Sequence, residues 1–266
     1  MNDRFPQISI IIPAFNEEKR LGATLARIRE YFATREPALA GVEIIVVDDG
    51  STDGTAGVAR DFARSAPCVR VVANGHNRGK GHSVREGILE ARGRVALFTD
   101  ADLSSPIYEC ERLFEAIDSG SDVAIGSRAI DRTLIAVHQS PFRETAGIIF
   151  NRLVRAFTGL SIEDTQCGFK AFRLPECRVI FEQQRIEGFG FDPEILFLAH
   201  RHGLRIAEVP VCWSHDPATK VHVYRDSIEM FMDLLRIRFN AVIGKYPRMQ
   251  RAAADAPDGA PPGTLI

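Results

Sequence analysis

Short apolar runs recur along the chain at Ile8 to Pro13, Val42 to Asp48, Val69 to Ala73, Val95 to Thr99 and Asp122 to Ser127, all of strand length. Between most of them the apolar positions fall at helical spacing. After the first run Leu21, Leu25, Ile28 and Phe32 repeat in this way. Asn16 is placed to cap that helix, and Glu17 and Glu18 stand in the first turn, where the helix dipole favours negative charge. Strands alternating with helices predict an α/β fold, a mostly parallel sheet flanked by helices.

Beyond about residue 130 the alternation is less regular. A helix is predicted from Pro141 to Phe157, then a polar, glycine-containing stretch, then a strand-like segment from Leu204 to Val211. From Ser227 to Ile243, Ile228, Phe231, Met232, Leu235, Phe239 and Val242 make one broad apolar face, and Glu229, Asp233, Arg236 and Asn240 make a narrow polar stripe. The segment from Ala252 to Ile266, rich in Ala, Pro and Gly, is expected to be disordered.

With 266 residues, 45% hydrophobic and 26% charged, and a formal net charge of -2, the chain has the composition of an ordinary soluble domain and gives no sign of nucleic-acid binding. One domain with a tail is enough for this length. The five cysteines include no C-x-x-C pair, which argues against a zinc site or a disulfide framework. The opening MNDRFPQ lacks a basic segment followed by an apolar core, and no apolar run approaches the roughly 18 residues a membrane span requires, so any membrane contact is expected to be peripheral.

Charge accumulates where two of the apolar runs end, at Asp48 and Asp49 and at Asp100 and Asp102, and in open α/β sheets that edge is where ligands bind. In Thr99-Asp100-Ala101-Asp102 the two carboxylates can face one hard cation, and Mg2+ or Mn2+ accepts such oxygens while bridging substrate phosphates. The plainer reading is that one aspartate caps a helix near Pro106 and the other is merely solvated. Asp48-Asp49-Gly50-Ser51-Thr52-Asp53 offers carboxylates and a tight turn able to receive a base and ribose; it also reads as a simple strand-to-helix turn with Ser51 or Asp53 as cap. Gly75 to His82 is a glycine-bracketed basic loop leading into a helix, so its backbone N-H groups and Lys80 can approach phosphate. Arg128, in Gly126-Ser127-Arg128, and Arg143, at the start of a helix, offer guanidinium groups for phosphate.

Taken together with Ile10-Ile11-Ile12-Pro13-Ala14-Phe15-Asn16-Glu17-Glu18, these motifs occur in the order that resembles family 2 inverting glycosyltransferases. Asp164-Thr165-Gln166-Cys167-Gly168-Phe169-Lys170, Phe191-Asp192-Pro193-Glu194, Trp213 and the segment from Lys220 to Arg238 are similar to the dolichyl-phosphate β-glucosyltransferase branch; the resemblance spans roughly residues 7 to 240. It implies a GT-A fold over residues 1–243, with a nucleotide-sugar half at 7–130, an acceptor half at 131–226 and an amphipathic helix at 227–243. Pro13, Ala14, Asn16, Glu17, Asp48 and Asp49 would lie around the nucleoside, and Lys80, Ala101 and the Asp100/Asp102 pair with Mg2+ or Mn2+ would hold the diphosphate. The donor would be a UDP-sugar, with glucose first, and Arg128 and Arg143 would receive a polyprenyl phosphate acceptor. Asp164 and Asp192 would position acceptor or sugar hydroxyls. A sugar hydroxyl acceptor, as in polysaccharide or glycolipid assembly, would make a carboxylate base such as Asp192 essential. The members of this branch in eukaryotes carry an N-terminal anchor, whereas this chain starts almost at its first strand. The helix at 227–243, followed by Lys245, Arg248 and Arg251, would instead reach an anionic membrane surface on the cytosolic side or simply pack on the domain.

Overall fold

The computed structural model describes residues 6–35, 41–137, 139–215 and 223–247. Strand β1 (Ile8–Ala14) leads through helix α1 (Glu18–Ala33) to β2 (Val42–Asp48), then α2 (Thr55–Ser65), β3 (Val69–Ala73), α3 (Lys80–Glu90) and β4 (Val95–Thr99). Next come α4 (Cys110–Asp118), β5 (Val123–Ser127), a short β6 (Ile135–Val137), α5 (Pro141–Thr158) and β7 (Phe169–Arg173). Helices α6 (Arg178–Gln183) and α7 (Phe191–Arg201), strands β8 (Ile206–Pro210) and β9 (Trp213–Ser214), and helix α8 (Val223–Val242) complete the described chain.

Seven strands form the main sheet in the order β3-β2-β1-β4-β7-β5-β8, and β6 pairs with β9 in a small second sheet. β1 lies parallel to β2 and β4, with Ile11 opposite Ile45 on one side and Phe98 on the other. β2 is buried along its whole length, as expected of a central parallel strand covered by helices on both faces. Alternate residues divide the core: Ile11, Ile45, Val47 and Phe98 pack on one side of the sheet, and Ile10, Ile12, Ile44, Val46 and Leu97 on the other. Each fully buried Ile, Leu or Phe contributes about 1.5–3 kcal/mol relative to exposure.

Three local expectations change. The stretch after Pro141–Thr158 contains β7, which lies antiparallel between β4 and β5, with Thr99 opposite Phe169 and Ala124 opposite Ala171. Asn16 does not cap α1. It adopts a left-handed conformation (φ 55°), its Oδ1 accepts from the Thr52 N-H at 2.8 Å, and Glu17 precedes the first helical residue without a side-chain capping bond. On α8, Asp233 leaves the expected exposed polar stripe and is 5% exposed, packed on Gly190 just before α7, where an added Cβ would lie 2.5 Å from Asp233 Oδ2. Leu234 and Ile237 are buried beside it, and the broad apolar face is turned outward: Ile228, Met232, Phe239 and Val242 are exposed. The expected tail at 252–266 lies outside the described residues.

Candidate active site

The sheet order turns back between β2-β1 and β4, the type of switch point at which open α/β sheets hold ligands beyond their strand ends. Because β7 runs antiparallel, its entrance, not its exit, lies at this edge. The segment from Asp164 to Gly168 therefore meets the residues that follow β4 and β5, Asp100 and Arg128.

The turn after β2 is held from within. Asp49 is 3% exposed; its Oδ1 accepts from Asn74 Nδ2 (2.8 Å) and the Arg78 N-H (3.0 Å), and its Oδ2 from the Gly79 N-H (2.8 Å). It is thus an anchor of the basic loop, with each oxygen engaged by protein. Buried Asp48 accepts from the Ser51 N-H at 3.2 Å. Ser51 does not cap α2, whose N-cap position is Gly54; Asp53, one residue before it, accepts from the Thr55 N-H at 3.0 Å and so satisfies the first donor of the helix. Instead Ser51 Oγ accepts from the Asn16 N-H at 2.9 Å, and Thr55 Oγ1 from the Glu17 N-H at 2.6 Å, so the loops after β1 and β2 are sewn together. Ala14 ends β1 and its carbonyl accepts from the Asp49 N-H at 2.8 Å; Pro13, opposite Val47, is half-buried beside it.

Lys80, the first residue of α3, reaches Asp100 after β4, Nζ to Oδ1 2.6 Å. Burial opposes its charge, but Asp100, then Asp192 and Asp102, outweigh that and hold the ammonium above the usual lysine value. Buried Ala101 follows, its carbonyl accepting from Thr24 Oγ1 at 2.6 Å. Asp102 Oδ1 accepts from the Ser104 N-H at 2.8 Å. Burial, then the charge of Asp100, push the Asp102 carboxyl above the ordinary aspartate range. Neither aspartate caps the turn at Ile107–Glu109, whose N-cap Pro106 receives no side-chain bond. Gly168, just before β7, crowds Asp100: a Cβ there would lie 2.0 Å from Asp100 Oδ2.

Two further ion pairs flank this centre. Arg128 grips Asp164 with a fork, Nε to Oδ2 2.6 Å and Nη2 to Oδ1 2.8 Å, while its backbone N-H donates to Oδ2 at 3.0 Å. Burial works against both charges, yet the fork holds Asp164 below the usual carboxylate range and Arg128 above its own. The Arg128 guanidinium also lies 5.3 Å from the centre of the Trp213 ring. Lys170 on β7, fully buried, meets Asp192 on the first turn of α7, Nζ to Oδ1 2.5 Å, and donates to the Cys167 carbonyl. Burial raises the Asp192 carboxyl, with Lys170 and Lys80 pulling against it.

The structure thus gathers Asp100, Asp102, Lys80, Asp192, Arg128 and Asp164 into one region, as the mutual electrostatic influences of these groups require. Arg143 stands apart: it is half-buried in the first turn of α5, and its guanidinium makes no ion pair among the described residues. Sequence reasoning passed over Lys170. The available signal was a lysine enclosed by Phe169, Ala171 and Phe172, a charge that a buried strand tolerates only with a partner.

The acidic pair fits a divalent cation. Its donors are hard oxygens, and the half-buried Asp102 carboxyl, raised by burial and by the charge of Asp100, gains from a positive ion beside it. Among the described residues no group of three or more His, Cys, Asp and Glu could hold a metal, so within them the acidic pair stands without a third ligand of these types.

Residues 9–175 match the profile of Glycosyl transferase family 2. The dolichyl-phosphate beta-glucosyltransferase of Drosophila melanogaster is 38% identical over 256 residues, 90% of this chain and 77% of the relative. That of Saccharomyces cerevisiae is 36% identical over 260 residues, 90% of this chain and 76% of the relative. Among solved structures, glucosyl-3-phosphoglycerate synthase from Mycobacterium tuberculosis, in complex with Mn2+, UDP-glucose and phosphoglyceric acid, aligns with TM-score 0.61 at 19% identity, over 88% of this chain and 80% of that one. This likeness establishes the fold, a single GT-A domain. By profile match and by its extensive identity with these relatives, the chain belongs to glycosyl transferase family 2, a family of glycosyltransferases.

Proposed function

We propose that the chain transfers glucose, with inversion, from UDP-glucose to the phosphate of a dolichyl-type polyprenyl lipid. The observation that carries this reading is the identity of 36–38% to dolichyl-phosphate beta-glucosyltransferases over nine tenths of the chain.

The donor binds over residues 7–130. Pro13, Ala14, Asn16, Glu17 and the Asp48-Asp49 turn surround the nucleoside, with Asp49 shaping the floor rather than spending its oxygens on the ligand. Asp100 and Asp102 would hold Mn2+ or Mg2+, and Lys80 and Ala101 would contact the diphosphate. A bound divalent ion would offset negative charge on the departing diphosphate. Lys80 adds a second positive charge at the same place, and Gly168 lets Asp100 approach without a Cβ between them.

The acceptor enters from residues 131–226. Its phosphate oxygen is already anionic at neutral pH, so attack on the anomeric carbon does not depend on a strong general base. Arg128 has Nε and Nη2 fixed on Asp164, which leaves Nη1 outside the fork to meet the phosphate; Asp164 is thus a positioning residue. Arg143 guides the incoming phosphate from α5. A sugar hydroxyl acceptor would instead call for a base, and the commitment of Asp192 Oδ1 to Lys170 speaks for the phosphate.

Among the described residues no helix is long and apolar enough to cross a membrane. The outward face of α8 carries Ile228, Met232, Leu235, Phe239 and Val242, and α5 adds exposed Phe142, Ile148 and Ile149, with Phe157 of α5 meeting Phe231 of α8 edge to face at 6.0 Å. Exposed Arg152, Arg238 and Lys245 belong to the same two helices and the turn beyond. Apolar residues beside basic ones suit an anionic membrane surface, which would bring Arg143 to the lipid on the cytosolic side.

The test is UDP release from UDP-glucose with Mn2+ or Mg2+, with and without a short polyprenyl phosphate, scoring extraction of the product into organic solvent. Turnover that requires the lipid phosphate and yields an extractable glucosyl lipid supports the proposal. Turnover indifferent to it would move the assignment to another acceptor. Asp102→Asn should abolish metal-dependent turnover.

A further inference from the structure

The metal-binding carboxylate already has a cation on it. Lys80 Nζ lies 2.6 Å from Asp100 Oδ1. Asp100 is pinned on its other side by Gly168, whose backbone comes so close that a Cβ there would reach to 2.0 Å from Oδ2. The carboxylate is therefore unable to turn away from the ammonium toward β7.

Lys80 is the mobile member of the pair. Its backbone is fixed by its neighbours, through the Gly79 N-H on Asp49 (2.8 Å) and the His82 N-H on the Glu187 carbonyl (3.0 Å). The ammonium itself sits at the end of a four-carbon stem with rotatable bonds, the side chain 21% exposed, so that a new partner can draw it aside while the backbone stays in place. A divalent ion on Asp100 would meet that ammonium at close range in a half-buried site, where water screens poorly. Among the described residues no third acidic or His/Cys ligand offsets this repulsion. A nucleoside diphosphate changes the balance twice: its oxygens complete the metal's coordination, and its charge gives the ammonium another partner.

We propose that Lys80 and the divalent cation compete for Asp100, and that the donor diphosphate resolves the competition by drawing Lys80 away, so that metal and nucleotide bind with positive coupling. The inference rests on Asp100 and Asp102 being the metal ligands. Lys80 then acts as a gate on metal loading as well as a phosphate contact, and a cation enters the site chiefly together with the nucleotide. By linkage, Mn2+ must tighten UDP by the same factor as UDP tightens Mn2+.

The experiment is equilibrium binding of Mn2+, followed by the electron paramagnetic resonance signal of the free ion, to the full chain with and without UDP. For the wild type, UDP should tighten Mn2+ about tenfold or more, within the roughly 5- to 150-fold range usual for coupled sites. Lys80→Gln should bind Mn2+ at least about threefold more tightly than the wild type without UDP, and gain less from UDP. Lys80→Arg keeps the charge and should stay as weak as the wild type without UDP; Lys80→Met replaces Lys80→Gln if a melting curve shows the latter unfolded. A neutral variant that binds Mn2+ no tighter than the wild type without UDP overturns the competition, as does an arginine variant that matches the neutral one. Failure of the wild type to bind Mn2+ even with saturating UDP overturns the metal assignment beneath it.

Discussion

Lys170 and Asp192 form a fully enclosed ion pair, Nζ to Oδ1 2.5 Å, that ties β7 to the first turn of α7 directly behind the acidic centre. Removing one partner of such a pair strands the other in the core, at a cost of about 3–5 kcal/mol. Lys170→Met is therefore expected to destabilise the fold by that amount in equilibrium urea unfolding. Adding Asp192→Leu to it should recover most of the loss, since apolar replacement of both partners leaves no charge uncompensated. A single variant within about 1 kcal/mol of the wild type would show that the pair is not closed to water.

The Arg128-Asp164 fork makes a signed statement about pH. Asp164 is held below its ordinary value in the folded chain, so its contribution to stability is fully present above the unfolded aspartate value of about 3.9. That contribution is lost as the pH falls through the depressed folded value. Wild type should therefore exceed Asp164→Asn in stability by a constant margin near neutrality, and the margin should narrow below about pH 4. Urea midpoints at neutral and acidic pH decide it; a margin that stays flat to acid would mean that the carboxylate titrates like a solvated one.

How much of this was legible beforehand depended on the range of the interactions. The parallel strands announced themselves because runs such as Ile44-Ile45-Val46-Val47 are apolar until an abrupt aspartate, and that break placed Asp48, Asp49, Asp100 and Asp102 on the correct edge. β7 was not legible: Phe169-Lys170-Ala171-Phe172-Arg173 holds no β-branched residue and carries a lysine at its second position, which the long-range partner Asp192 makes tolerable in a sheet. The cap of α1 failed for a related reason, since Asn16 spends its side chain on Thr52, 36 residues away, rather than on its own helix. On α8 the apolar residues were placed on one face correctly, but what that face meets depends on Asp233 packing against Gly190, which periodicity does not carry.

Gly168→Ala separates the metal site from the fold. The added Cβ would stand 2.0 Å from Asp100 Oδ2, so the half-exposed carboxylate must shift away from Gly168 and out of its present position. Mn2+ affinity in the presence of UDP should fall at least about tenfold, equivalent to about 1.4 kcal/mol. The melting temperature should change little, because the displaced group borders solvent. Unaltered Mn2+ binding would mean that Asp100 is not a ligand.

The outward face of α8 supplies the remaining test. Phe239 is 62% exposed and Val242 80%, so charge at these positions disturbs little packing within the domain, and surface changes of this kind usually alter stability by less than about 0.5 kcal/mol. On a membrane the same changes place two carboxylates where apolar groups would enter an anionic interface, against both hydrophobic and electrostatic attraction. Phe239→Asp with Val242→Glu should therefore abolish sedimentation with vesicles containing anionic lipid and raise the KM for a long polyprenyl phosphate at least about tenfold. Turnover of a short, water-soluble polyprenyl phosphate should be retained, since these positions lie outside the acidic centre. Vesicle binding equal to that of the wild type would remove this face from the membrane contact.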